Sequence, residues 1–292
     1  MVITGLIALS VAYTLNIVVI PAMLLYAALS GPVAFITYVV DRADVDKAVP
    51  FYNLILVTLF AGAAAILLAG PLNTLFSGGK GYFSILTVGP IEESVKLVVP
   101  LIAFFLGARY RSTRAGLVLG LASAAGFAVL ETMGYGFMEI IKAGALLNPP
   151  NGALQAADKP ELIKHLMAGA QTPINRSLYA PFGHLVWTGL VTTVWWNEWE
   201  KHGGITITKA VVGAYALAVA LHAINDFLPT KIIPLAMSMG AVTGNTFIGL
   251  VLGALGLLAL LAVMIISFWV FWRNVKHRVP MKEYGKLFHK SR

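Results

Sequence analysis

The chain has 292 residues, of which 58% are hydrophobic and only 12% charged. So little polar surface cannot cover a soluble globule of this size, which excludes a water-soluble enzyme and makes the chain an integral membrane protein in contact with the lipid bilayer. There is no cysteine, excluding thiolate chemistry, disulfides and Cys-ligated metals; the excess of 21 basic over 13 acidic residues is read as topology, and no nucleic-acid partner is expected.

Apolar windows predict an all-α, polytopic transmembrane helical bundle with about eight spans, near 2–19, 22–40, 51–70, 85–107, 115–138, 178–196, 207–228 and 247–272. Pro21 and the Gly31-Pro32 pair leave a count of seven open, if they break one long span followed by a re-entrant piece. Residues 1–272 are expected to form one integral membrane domain and 273–292 a basic cytoplasmic tail. Met1–Ser10 lacks the charged start and cleavage site of a secretory signal and is taken as part of the mature chain.

On eight spans, Arg42, Lys47, Arg109, Arg111, Arg114, Lys201, Lys209 and the basic tail fall on one side, and Lys80, Lys142, Lys159, Lys164, Arg176 and Lys231 on the other. The bias predicts both termini in the cytoplasm, in what is expected to be the plasma membrane. Gly116–Gly120 and Gly249–Gly253 have the spacing that lets helices approach closely. Trp195, Trp196 and Trp199 read as an interfacial belt. The long 139–177 connection holds a turn at Pro149-Pro150-Asn151-Gly152 and a stretch from Pro160 to Met167 that is apolar at helical spacing, and it is expected to lie over an outward-facing site and control access.

The chemistry is concentrated in buried ionisable residues. Glu92, Glu93 and Lys96 lie in the apolar segment Ile85–Ala108, Glu131 ends Gly126–Glu131, His184 follows Pro181-Phe182-Gly183, and His222 and Asp226 are four apart. A charge near the membrane centre costs at least ~2.5–3.5 kcal/mol, so such groups face a protein interior or a wet cavity and have partners. At about 1.5 Å rise per residue, Glu93, Glu131, His184 and His222 fall roughly 9–12 Å below the outer end of their spans, in one layer of the outer half. Glu92–Lys96 and His222–Asp226 are i,i+4 pairs: Lys96 is expected to pair with Glu92, and Asp226 to accept from one nitrogen of His222 and leave the other free. His165, His202, His277 and His289 are expected to be solvated.

Glu92-Glu93-Ser94-Val95-Lys96 fits EExxK, Phe127–Glu131 fits FxxxE and His222–Asp226 fits HxxxD, in that order on separate spans. The chain in this respect resembles the PrsW family of intramembrane proteases; the likeness extends from Asp41-Arg42 to Asp226, and His184 matches a further family histidine. More widely it looks like the CAAX-prenyl endopeptidases and the gamma-secretase scaffold subunit. The resemblance implies an intramembrane endopeptidase acting on membrane proteins, with a single-pass regulator such as an anti-sigma factor as the family's substrate type. Glu92 or Glu93 is then expected to be the general base, with Glu131, His184 and His222 holding zinc or another divalent metal and Asp226 orienting His222. A metal-free version would use imidazoles to stabilise the oxyanion. Two alternatives come from other classes, a proton- or ion-coupled transporter and a non-catalytic membrane scaffold.

Overall fold

A computed structural model describes Leu6 and residues 17–45, 47–77, 84–147 and 159–281. Every described element is helical. The expected 2–19 span lies almost wholly outside these residues, as do Lys80, the Pro149–Gly152 turn and the end of the basic tail.

The helices are α1 (Ile20–Arg42), α2 (Phe51–Ser77), α3 (Ser84–Leu106), α4 (Thr113–Leu147), α5 (Lys159–Tyr179), α6 (His184–His202), α7 (Lys209–Phe227), α8 (Ile233–Val242) and α9 (Thr246–Arg278). Among the described residues, five stretches are long and apolar enough to cross a membrane: α1, α2, α4, α7 with α8, and α9. α3 and α6 carry much of the polar site chemistry described below. Pro21 sits in the first turn of α1, where no backbone bond is lost, and Pro32 lies inside it, so the helix is unbroken where a break was considered.

α4 is the hub, packed between α2, α5 and α6. Its small residues allow this: Ala122, Ala124, Ala125 and Ala128 are buried, and a Cβ on Gly126 would lie 1.9 Å from the Thr58 carbonyl oxygen of α2. Gly116 and Gly120 face Trp196 and Thr192 of α6, and Gly249 meets the backbone of Gly240, so both expected glycine pairs are contact points. The four helices α3, α4, α6 and α7 therefore come within side-chain reach of one another.

Four expectations about elements change. α4 runs to Leu147, well past 138, so Glu131 lies near the middle of 35 residues and not seven residues from an end. Residues 178–196 are not one span: α5 ends at Tyr179, a 3-10 turn covers Ala180–Phe182, and α6 starts at His184, because Pro181 and Gly183 interrupt regular helix. α7 passes through a π-turn at Leu228–Ile232, where Pro229 removes a donor, into α8, which falls between the expected 207–228 and 247–272 spans in a stretch left as a connection. Trp196 is 1% exposed and donates from Nε1 to the Tyr110 carbonyl oxygen at 2.6 Å, an internal tie between helices and not part of a belt at the lipid interface.

Candidate active site

α3 presents its three ionisable side chains in two directions. Residues 92 and 93 are about 100° apart around the helix, so one carboxylate points inward and its neighbour along the wall. Glu93 is the inward one, 1% exposed. Its Oε1 accepts from Lys96 Nζ at 2.7 Å and faces His222 Nδ1 at 2.9 Å, while its Oε2 accepts from the Thr188 hydroxyl at 3.0 Å. Lys96 is fully buried; besides Glu93 it contacts His184 Nδ1 at 2.9 Å and lies over the Phe127 ring at 4.4 Å. The i,i+4 partner Glu92 is farther, at 3.9 Å. Lys96 thus pairs most closely with Glu93 at i,i+3, and the expected Glu92–Lys96 pair is present as the longer contact.

Glu92 faces the cavity. Asn73 of α2 donates to its Oε1 at 3.3 Å. Its Oε2 is buried and makes no hydrogen bond, with His222 Nε2 at 3.5 Å.

His184 opens α6, and His222 lies on the last turns of α7. Trp187, one turn beyond His184, stacks on the His222 ring at 4.8 Å and 24°, and the two imidazoles meet edge to face at 5.3 Å. Both nitrogens of His222 are engaged, Nδ1 by Glu93 and Nε2 near Asp226 at 3.3 Å. The free nitrogen expected opposite Asp226 is therefore the one held by Glu93.

Glu131, from α4, places Oε2 at 3.1 Å from His184 Nε2 and 2.8 Å from Arg176 Nη2. Arg176 comes from α5 and was counted in the sequence only for topology. Its guanidinium stacks on Tyr135 at 4.0 Å, and Tyr135 sits one helical turn after Glu131. The only sequence signals for this pair were a cation in the segment returning to the membrane just before His184 and an aromatic ring at i+4 from a buried glutamate.

These groups border a cavity of about 490 Å³. Its polar wall is Asn73, Glu92, Glu131, Arg176, His184 and Asp226, and Ile85, Val88, Pro229 and Leu260 form an apolar stretch. Glu93, Lys96 and His222 lie behind that wall, each 1% exposed or less. All seven sequence-predicted site residues are thus brought together. His165, expected to be solvated, instead lies on α5 with Nδ1 at 2.7 Å from Glu139 on α4.

Among the described residues, Glu92, His184 and His222 each offer a ligand atom, and the three atoms lie within 4.8 Å of one another. Two imidazoles and a carboxylate are a donor set for a divalent metal with an open position. The Glu92 Oε2 fits such an ion: it is buried and makes no hydrogen bond, with His222 Nε2 at 3.5 Å and Lys96 Nζ at 3.9 Å, and coordination recovers the free energy that an unmade hydrogen bond costs. Glu131, expected as a ligand, stands beside this group, engaged by Arg176 and His184.

No curated protein and no solved structure matches the chain significantly. A family model described as PrsW family intramembrane metalloprotease matches residues 49–266, which take in every site residue from Asn73 to Asp226. With most of its length inside that match and the three motifs converging on one buried cavity, the chain belongs to the PrsW family of intramembrane metalloproteases.

Proposed function

We propose that the protein hydrolyses peptide bonds of membrane proteins at the cavity bordered by Glu92, Glu131, His184 and Asp226. Glu92, His184 and His222 hold the metal, and zinc is the ion that suits two imidazoles and a carboxylate. The observation that carries this assignment is the buried Glu92 Oε2, which has no hydrogen bond and lies 3.5 Å from His222 Nε2, in a carboxylate that stands within 4.8 Å of both imidazoles. When bound, such an ion supplies Lewis acidity toward a water and toward the scissile carbonyl.

The protein groups divide the remaining work. Glu93 accepts from His222 Nδ1, fixing the ring so that Nε2 turns toward Glu92. Lys96 balances the Glu93 charge inside the bundle, and Thr188 satisfies the second Glu93 oxygen. Glu93 is too enclosed to meet a substrate. Of the three carboxylates on the cavity wall, Glu92 belongs to the ligand group and Asp226 pairs with His222 Nε2 at 3.3 Å, which leaves Glu131 as the base in this reading: it takes a proton from the attacking water and passes it to the departing amide nitrogen. Both the peptide and the water must reach this wall, and the apolar stretch at Ile85, Val88 and Leu260 suits an apolar residue beside the scissile bond.

The substrate class is a membrane protein, and a single-pass segment is the simplest one that reaches a buried cavity from the bilayer. No feature of this chain singles out an anti-sigma factor. Family membership and a convergent hydrolytic site favour proteolysis over the transport and scaffold alternatives.

For topology, we propose a plasma-membrane protein with cytoplasmic termini, a membrane domain over 1–272 followed by the basic tail, and a site in the outer half. One observation supports the orientation: the α3–α4 and α6–α7 connections share an end of the bundle, where Arg111 lies over Trp199 at 5.6 Å and Asn197 donates to Thr113 at 3.3 Å. That gathers Arg109, Arg111, Arg114, Lys201 and Lys209 on one side.

The deciding experiment combines metal content with cleavage of a single-pass peptide by purified protein. Glu92→Gln is expected to lose both; a Glu92→Gln enzyme with full metal and full turnover would remove Glu92 from the site.

A further inference from the structure

Arg176 belongs to none of the sequence motifs, yet it is a cation on the cavity wall. Its helix is fixed immediately beside it. A Cβ on Gly31 of α1 would lie 1.6 Å from the Ser177 carbonyl oxygen, and the Ser30 and Ser177 hydroxyls are 3.1 Å apart. α1 therefore sets where residue 176 stands, to within the tolerance of backbone-to-backbone contact.

From there the guanidinium does two things. Nη2 donates to Glu131 Oε2 at 2.8 Å, and Cζ lies over the Tyr135 ring, 4.0 Å from its centre. The stack and the bond together leave the Arg176 side chain few orientations. Glu131 Oε2 is in turn 3.1 Å from His184 Nε2, so one oxygen is held between a cation and an imidazole. The Arg176 Nε, by contrast, is buried and makes no hydrogen bond. A pair with an unsatisfied buried donor is a poor stabiliser, because desolvation offsets most of the attraction.

We infer that Arg176 is a positioning residue for the hydrolysis: it holds the Glu131 carboxylate at the edge of the Glu92–His184–His222 group. Without it, and with His184 Nε2 turned to the metal because Lys96 occupies Nδ1, that oxygen has no fixed partner, and the side chain is free to swing away from the attacking water or into the ligand group. The inference rests on the assignment of Glu131 as base. Arg176 acts through Glu131 and does not itself touch the reacting atoms.

The test is a double-mutant cycle in the full-length purified protein, with kcat and KM for a single-pass peptide, bound metal and melting temperature measured for Arg176→Gln, Arg176→Lys, Glu131→Gln and the double Gln variant. Misplacing a reacting group by an ångström costs about a hundredfold, so Arg176→Gln is expected to lower kcat by about that factor with KM within about threefold and bound metal unchanged. Arg176→Lys, keeping the charge without the planar stack, recovers part of the loss. The double variant is no slower than Glu131→Gln alone, since the two residues act as one unit. Multiplying losses, a raised KM at unchanged kcat, or a normal kcat in Arg176→Gln beside an inactive Glu131→Gln each overturns the Arg176 role alone. A fully active Glu131→Gln overturns the base assignment itself. If Arg176→Gln does not fold, Arg176→Lys decides: wild-type kcat in that variant, beside a slow Glu131→Gln, ends the Arg176 role, and a lowered kcat at wild-type melting temperature and bound metal supports it.

Discussion

His222 Nδ1 lies 2.9 Å from Glu93 Oε1, so the imidazole is held from behind by a carboxylate that is itself 1% exposed. An ionised carboxylate only accepts, so the ring donates from Nδ1; Nε2 faces Asp226 at 3.3 Å and Glu92 at 3.5 Å, and its lone pair is available there only when a cation stands between the ring and those carboxylates. The adjacent glutamates are therefore unequal, although no local pattern in the sequence ranks them.

The inequality predicts opposite behaviour in two neighbouring variants. Glu93→Ala strands Lys96 in the interior with its closest carboxylate gone, and breaking a buried pair from one side costs about 3–5 kcal/mol. It should unfold at clearly lower temperature and lose activity as a result. Glu92→Gln removes a group whose Oε2 makes no hydrogen bond, so melting should stay near wild type while cleavage falls by about a hundredfold or more. Thermal unfolding in detergent beside a peptide-cleavage assay reads both; equal stability losses in the two variants would sink the division of roles.

Metal content separates ligands from base. Chelation should abolish cleavage and zinc should restore it. Glu92→Ala, His184→Ala and His222→Ala should each purify with much less metal, whereas Glu131→Gln should keep its metal and lose turnover by about two to four orders of magnitude. Elemental analysis of the four proteins checks this. A metal-free Glu131→Gln beside a metal-replete Glu92→Ala would exchange the two glutamates between the roles of ligand and base.

How much of this was legible in the sequence depends on whether the signal was local. Buried charges in apolar segments announce themselves one at a time, so Glu92, Glu93, Lys96, Glu131, His184, His222 and Asp226 could all be named, and their order on separate spans implied convergence. Partner choice was not legible. Lys96 has carboxylates at both i−3 and i−4, and the packing of α6 and α7 decides that Glu93 is the inner one. Arg176 escaped because it lies in a long connection where a cation ordinarily means topology, and only the folding of α5 against α1 and α4 carries it to Glu131. Helix ends were misjudged for a similar reason: hydropathy does not mark where α4 stops, or that Pro181 and Gly183 divide α5 from α6.

Orientation can be tested directly because the chain has no cysteine to confuse labelling. Lys209 starts α7 at the arginine-rich end of the bundle, and Lys142, with a side chain 51% exposed, lies toward the far end of α4. In sealed cells, Lys142→Cys should react with a membrane-impermeant maleimide, and Lys209→Cys should react only after permeabilisation. The reverse pattern inverts the topology and moves the site to the cytoplasmic half.

The closest backbone approaches should be the positions least tolerant of a methyl group, and one of them should report on catalysis as well as on folding. A Cβ on Gly126 would come within 1.9 Å of the Thr58 carbonyl, and one on Gly31 within 1.6 Å of the Ser177 carbonyl; neither obstacle is a flexible side chain, so the helices themselves must move. Overpacking of this kind costs about 1–3 kcal/mol, often more when backbone must shift. Gly70→Ala, in α2 with nothing within 4 Å, is the matched control: there alanine should be neutral or stabilising by about 0.5–1 kcal/mol, since it is a mid-helix glycine. Gly31→Ala differs from Gly126→Ala in what lies next to the clash. Ser177 adjoins Arg176, so pushing α5 away from α1 shifts the guanidinium relative to Glu131. Gly31→Ala should therefore lower kcat in the fraction that remains folded, and Arg176→Gln should add nothing further in that background. A Gly31→Ala protein that melts lower but retains wild-type kcat would show that α5 can move without disturbing the Arg176–Glu131 contact.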